Sequence, residues 1–241
     1  MYVEVTYKML SVIDVEKYHT GRYGAPGCKR QPKRKRTPEE IRNQNYINAC
    51  KRLRRIINNN FEAGDLHCTL TYKQENRLSA EDSKKELTNF LRRMKSAYRK
   101  RGHELKWIAV TEYQNKAIHH HMIINMIPDT VPLLQEQWRP GRVHFTPLDD
   151  SGDYRALADY LIKETEKTFR DPEAACKERY SRSRNLIIPE PKKKVISSAS
   201  FRKAPKPIKG YYIDTESVCT GFNPVTGYPY QTYTMIKIGG G

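Results

Sequence analysis

Three consecutive histidines, His119, His120 and His121, stand in the segment AIHHHMIIN (117–125). The segment is rich in Ile and free of helix breakers, so it reads as a strand. Side chains alternate along a strand. His119 and His121 therefore share one face with Ile123 and Asn125, and His120 takes the other with Ile118, Met122 and Ile124. Two imidazoles at i and i+2 can chelate one divalent ion. KWIAVTEY (106–113) reads as the preceding strand, and pairing the two as a hairpin brings Glu112 close to His119. Two histidines and a carboxylate leave coordination positions open, as a catalytic metal requires. Spacing alone leaves a second reading open, in which the histidines are ordinary strand residues. In both readings His120, on an otherwise apolar face, needs a hydrogen-bond partner.

The second chemically suggestive stretch is DYRALADYLIKETEK (153–167). At about 100° per residue, Tyr154, Leu157, Ala158, Leu161 and Ile162 form one apolar arc of a helix. Tyr160 falls off that arc, beside Lys163 and Lys167. A phenol ionises near pH 10, and neighbouring cations are expected to lower that value. Such a tyrosine can attack a phosphodiester and hold the phosphate covalently. The competing reading is a surface tyrosine packed on a neighbour.

These residues sit in a chain of 241 residues, enough for one domain or one domain with arms. Its formal charge is +17, and that charge is localised. Residues 29–55 and 176–209 each carry 11 Lys/Arg against two acids, and the remaining 180 residues are nearly neutral. Basic segments on a neutral body favour a polyanion, most often nucleic acid. Two solvated tails, or for 29–36 a localisation signal, would have the same composition. Membrane binding is disfavoured, because neither segment interleaves its charges with an apolar stripe. The longest apolar run, Trp107 to Val110, is far too short to span a bilayer. The first residues do not resemble a signal peptide. Five Cys without paired spacing point to a reducing compartment.

The elements that must position this chemistry follow from periodicity and punctuation. Residues 1–40, broken by Gly and Pro, are expected to be an arm. TPEE (37–40) opens a helix to about 59. LHCTLTYK (66–73) is a strand, and Ser79 caps a helix to about Arg101. Strands 106–113 and 117–125, a short helix 131–138, strand 142–148 and helix 153–169 follow. A helix at about 172–181, an extended linker through PKKKV, and a strand-like C-terminal segment complete the chain. The central β-α-β-β-α-β-α order predicts an α+β fold: an antiparallel sheet with helices on one face, ferredoxin-like or RNA-recognition-like. The expected domains are a basic arm and helix (1–60), a core (61–185), and a basic linker with a C-terminal extension packing on the core (186–241).

CTLTYK (68–73), AIHHHMII (117–124) and YLIK (160–163), in that order, resemble the motifs of the HUH endonuclease superfamily. Within it the chain is most similar to rolling-circle replication initiators of bacterial plasmids and phages. GRYGAPG (21–27), RYSRSRNLIIPEP (179–191) and GFNPVTGYPY (221–230) resemble stretches that flank this core, so the resemblance spans most of the chain. His120 departs from it, because the middle position of the histidine motif is usually bulky and apolar.

The resemblance implies that Glu112, His119 and His121 hold Mg²⁺ or Mn²⁺, that Tyr160 is the nucleophile of a metal-dependent DNA nickase, and that Lys163 supports it. Glu164, beside Tyr160 on the helix, is the candidate for activating water when the cycle closes. The implied substrate is single-stranded or hairpin-extruded origin DNA, in a bacterial cytoplasm. Lys33, Arg34, Lys35, Arg36, Arg52, Arg54, Arg55, Arg179, Arg182, Arg184, Lys192, Lys193 and Lys194 are the expected backbone contacts. No GxxxxGK[ST] loop is present, so unwinding falls to a partner helicase and synthesis to a polymerase. A single-tyrosine transposase or relaxase, and a non-catalytic nucleic-acid-binding module, are the competing functions.

Overall fold

The computed structural model describes residues 1–23, 25–76, 78–112, 118–170 and 178–239. It divides into two compact units, one of residues 1–59 with 188–241 and one of residues 60–187. Numbered along the whole chain, the described residues form ten strands and four α-helices.

Residues 60–187 contain β3 (Leu66–Thr71), α2 (Ala80–Lys100), β4 (Trp107–Glu112), β5 (His119–Ile124), α3 (Thr130–Gln137), β6 (Val143–Pro147), α4 (Arg155–Arg170) and β7 (Ser181–Arg182). From β3 to α4 this is the expected order. The sheet runs β6-β3-β5-β4-β7, with every pair antiparallel. The fold is α+β.

Alternation decides what each face does. Leu66, Cys68 and Leu70 of β3 meet Ala109 of β4 and Met122 and Ile124 of β5 in one buried layer. α2 packs Leu87, Phe90, Met94 and Tyr98 on that layer, at three- and four-residue spacing. α2 starts where Ser79 Oγ accepts the Asp82 N–H at 3.1 Å. α3 adds Leu133 and Leu134, and Trp138 follows it into the core. Removing a ring such as Phe90, fully buried and edge-on to Trp138 at 5.3 Å, costs about 3–5 kcal/mol.

The helices do not share one face. α4 lies against β4, and its Tyr160 meets the sheet on the side opposite to α2. Ile108, Val110 and Ile123 are buried on that second face, and the apolar arc of α4, including Leu161 and Ile162, is buried as well. A sheet whose two faces are both apolar needs cover on both.

Two contacts fix the end of β3 that carries Thr71. The Trp138 indole N–H donates to the Thr71 carbonyl at 2.9 Å. Gly141 passes so close that a Cβ there would meet the same oxygen at 1.8 Å. Only glycine fits at 141.

Residues 1–59 with 188–241 contain β1 (Tyr2–Lys8), β2 (Val12–Tyr18), α1 (Pro38–Asn60, whose last residue opens the other unit), β8 (Lys192–Ile196), β9 (Tyr211–Phe222) and β10 (Pro229–Lys237). The sheet order is β8-β1-β2-β10-β9, again antiparallel. The expected N-terminal arm is thus two strands, and the expected linker through PKKKV is an edge strand. Lysines on an edge strand discourage further pairing. Residues 28–36 are not a loose tail either. The Gln31 and Arg34 amides donate to the Gly227 and Pro224 carbonyls at 2.9 and 2.8 Å. α1 opens with a reciprocal cap: Thr37 N–H donates to Glu40 at 2.9 Å, and Glu40 N–H to Thr37 Oγ1 at 3.2 Å.

The helix expected at about 172–181 lies outside the described residues over 171–177. Glu178–Tyr180 are not helical, and Ser181–Arg182 is strand. The described cysteines Cys28, Cys50, Cys68 and Cys219 are free. No described helix is long and apolar enough to cross a membrane.

Candidate active site

The register of β3, β4 and β5 builds the site. Glu112 opposes His119, Val110 opposes His121, and Thr69 and Thr71 oppose His121 and His119. Alternation then places His67, Thr69, Glu112, His119 and His121 on one face, the face that α4 covers. The expected neighbourhood of Glu112 and His119 is therefore present as a register pair.

The side chains converge on one atom. His121 Nε2 lies 3.4 Å from Glu112 Oε2 and 3.4 Å from the Tyr160 hydroxyl. Its Nδ1 lies 3.3 Å from Thr69 Oγ1, and its ring stands edge-on to Tyr160 at 5.2 Å. His121 is buried, while Tyr160 is 39% exposed and open to a ligand. Tyr154, on the apolar arc, is buried and donates its hydroxyl to the Asp149 carbonyl at 3.1 Å. α4 thus gives its two tyrosines different roles.

His119 does not join this convergence. Among the described residues, no three His, Cys, Asp or Glu side chains are gathered closely enough to hold an ion. The structure brings together Glu112 and His121 of the expected ligand set and leaves His119 beside them on the same face. An imidazole and a carboxylate facing each other are nonetheless donors of the right chemistry for Mn²⁺ or Mg²⁺.

His120 is settled by its partners. It is fully buried on the α2 face, with its Nε2 2.8 Å from the Tyr72 hydroxyl and its Nδ1 2.9 Å from Thr111 Oγ1. Burial, then His119 and His121, pushes its pKa down to about 3. It is a neutral core residue.

His67 belongs to the site and is not evident from the sequence. Its ring stacks on His121 at 5.7 Å and stands edge-on to Tyr160 at 6.1 Å. Its Nε2 is buried without a hydrogen-bond partner, and burial, then His121, pushes its pKa down to about 4. The available signal is parity, since His67 is two residues from Thr69, which opposes His121.

The electrostatics of Tyr160 are opposite to expectation. Burial, then the carboxylates of Glu164 and Glu112, raise its pKa. Lys163 is exposed. The charges acting on the phenol are acidic, Glu164 from its own helix first and then Glu112 from β4.

Residues 65–169 match a family model described as Replication-associated protein ORF2. Over this segment the chain is similar to that family. The matched segment runs from the residue before β3 almost to the end of α4, so it contains His67, Glu112, His119, His121, Tyr160, Lys163 and Glu164. No curated protein and no solved structure matches the chain.

The expected phosphate contacts lie on both units. Lys33, Arg34, Lys35, Arg52, Lys192, Lys193 and Lys194 are exposed on residues 1–59 with 188–241, and Arg36 is half-buried. Arg34 forks onto Glu40. Arg54 and Arg55 leave the set. Arg54 is buried 3.3 Å from Asp14, and Arg55 is bound to Asp14 at 2.9 Å and Glu16 at 2.7 Å. Their charge is spent inside the unit. On residues 60–187, Arg184 is exposed, Arg182 is half-buried in β7, and Arg179 pairs with Glu166.

Proposed function

We propose that residues 60–187 form a metal-dependent single-strand DNA endonuclease and strand transferase that initiates rolling-circle replication, with Tyr160 as nucleophile. The observation that carries this reading is the convergence of Glu112 and the Tyr160 hydroxyl on His121 Nε2, inside the matched segment. Tyr160 is exposed enough to reach a phosphate, and its helix is anchored by a buried arc.

In this reading the Tyr160 oxygen attacks phosphorus, and the bond from phosphorus to the 3′ oxygen breaks. The 5′ phosphate stays on Tyr160, and the released 3′ oxygen gains the proton that the phenol gives up. Glu112 and His121, completed by His119, are the residues that would hold the ion. Bound there, Mn²⁺ or Mg²⁺ supplies the positive charge that polarises the phosphate and offsets the surrounding carboxylates. The imidazole share of the set favours Mn²⁺ over Mg²⁺. Lys163, one turn from Tyr160, stabilises charge on the attacked phosphate. Glu164 activates the water that later releases the phosphotyrosine. The substrate is single-stranded or extruded origin DNA in a bacterial cytoplasm, with helicase and polymerase supplied by partners. Tyr160 lies after the histidine motif, which separates this reading from a relaxase and leaves a single-tyrosine transposase as the nearest relative in mechanism.

Covalent trapping tests the reading. The protein is mixed with a randomised single-stranded DNA library and Mn²⁺ and run on a denaturing gel beside Tyr160→Phe. A shifted band that the variant loses is the expected result. No band from either protein would overturn it and leave a non-catalytic nucleic-acid-binding module, the reading that the incomplete ligand group favours.

A further inference from the structure

The sheet of residues 1–59 with 188–241 has two faces of different character. One carries Asp14 and Glu16 and receives Arg54 and Arg55 of α1. The other carries Ile13, Val15, Tyr233 and Met235 as a buried apolar cluster. Residues 198–208 cross this second face as a strap.

The strap is pinned through its backbone. Gln231, fully buried on β10, donates its side-chain amide to the Arg202 carbonyl at 3.0 Å and the Lys203 carbonyl at 2.9 Å. Phe201 stands edge-on to Tyr2 at 5.5 Å. Pro205 and Pro207 restrict the strap further. The backbone is held, and the Arg202, Lys203 and Lys206 side chains are left exposed.

Between strap and sheet lies a cavity of about 520 Å³. Its floor is the apolar cluster, and its rim includes Phe201, Arg202, Lys206 and Ile208. Its volume falls in the range of ligand pockets, roughly 300–1,000 Å³. The one carboxylate in the lining, Glu4, is paired with Lys17 at 3.4 Å. Arg202 and Lys206 carry no ion pair among the described residues. Lys192 and Lys194 oppose Thr6 and Glu4 in the register, so they stand on the same face and continue the cations along the sheet edge.

We propose that this cavity takes one unpaired nucleotide of single-stranded DNA, its base over the Tyr233–Met235 floor beside Phe201 and its phosphates on Arg202 and Lys206, with the strand leading past Lys194 and Lys192. An apolar, aromatic interior with a cationic rim is the combination that recognises a base and its backbone together. A duplex cannot pass beneath the strap, so the site selects unpaired DNA. The proposal shares with the function above only that DNA is the partner, and its test needs neither metal nor cleavage.

Binding of a dT20 oligonucleotide and of a duplex of equal length to the full chain is measured by anisotropy in EDTA. Arg202→Ala with Lys206→Ala lowers single-strand affinity about tenfold and reduces the slope of log K against log salt by about 1.4, the value for two contacts. Ile208→Trp, at an exposed rim position, narrows the mouth and weakens single-strand binding while duplex binding stays unchanged. Lys209→Ala and Lys237→Ala, exposed outside the lining, each change affinity less than twofold. Iodouracil cross-links map to Phe201 or Tyr233. Single-strand binding by both rim variants equal to wild type, or equal weakening toward single strand and duplex, overturns the proposal. Trapping at Tyr160 is scored separately, so either idea can fail without the other.

Discussion

In residues 1–59 with 188–241, Asp14 lies between Arg54 and Arg55, and Thr234 donates to it at 3.1 Å. In residues 60–187, Glu112 faces His121 across 3.4 Å with the phenol of Tyr160 as the next neighbour. Both are half-buried or buried carboxylates on a sheet, but the first is held by two guanidinium groups and the second faces an imidazole with a phenol beside it. A closed network of this kind holds packing together. An open one, with carboxylates around an exposed phenol, has the perturbed groups that mark candidate functional sites.

The largest effect expected from this contrast is at Tyr160. Tyr160→Phe should abolish covalent adduct by at least about a thousandfold and leave the melting temperature unchanged, because the lost hydroxyl carries no packing. A fall in stability to match would erase the distinction between open and closed networks. His121→Ala and His120→Ala sharpen it within one strand. The first should cost about a hundredfold or more in adduct formation with a modest change in stability. The second should cost about 2–4 kcal/mol of stability, because it opens a buried cavity and takes a hydrogen-bond partner from Tyr72 and Thr111. Equal profiles for the two variants would break the comparison.

Arg54→Met is next, with a loss of about 3–5 kcal/mol in denaturant unfolding, since it leaves Asp14 buried with one guanidinium fewer. Asp14 also sets a pH signature. Burial alone would raise its pKa, but Arg54 and Arg55 outweigh burial and hold it below the usual value. Its contribution is therefore complete above pH ~4, the unfolded value, and is lost as pH falls through the folded one. Asp14→Asn should flatten the stability profile in that acid window. The smallest effect is at the exposed cations. Lys33→Ala or Arg52→Ala should each reduce the salt slope of DNA binding by less than about one and leave stability unchanged.

Residues 66–170 are legible because each element there announces itself locally. Ser79 and the spacing of Leu87, Phe90 and Met94 give α2, and alternation gives β3, β4 and β5 with the pairing of Glu112 and His119. What is not legible depends on long-range register. His67 matters only once β3 pairs with β5. The raised pKa of Tyr160 comes first from burial, which only the packing of α4 on the sheet supplies, then from Glu164 and Glu112. β1 and β2 carry a readable alternation of Val3 and Val5, then Ile13 and Val15. Yet the Gly and Pro residues that follow suggest an arm, and the partners that complete the sheet lie at the other end of the chain. For the same reason Arg54 and Arg55 look like phosphate ligands, although Asp14 stands about 40 residues away in sequence.

The pairing of β2 with β10 has a consequence for synthesis. Asp14 and Thr234 are 220 residues apart, yet they meet in the middle of one sheet. A growing chain can finish β3 to β7 on the ribosome while β2 still lacks its inner neighbour, with Val12, Ile13 and Val15 waiting to be covered. Contacts of such separation close late. A nascent chain stalled before residue 229 would carry one finished sheet and one open, apolar strand edge, the kind of surface that chaperones hold and that otherwise aggregates.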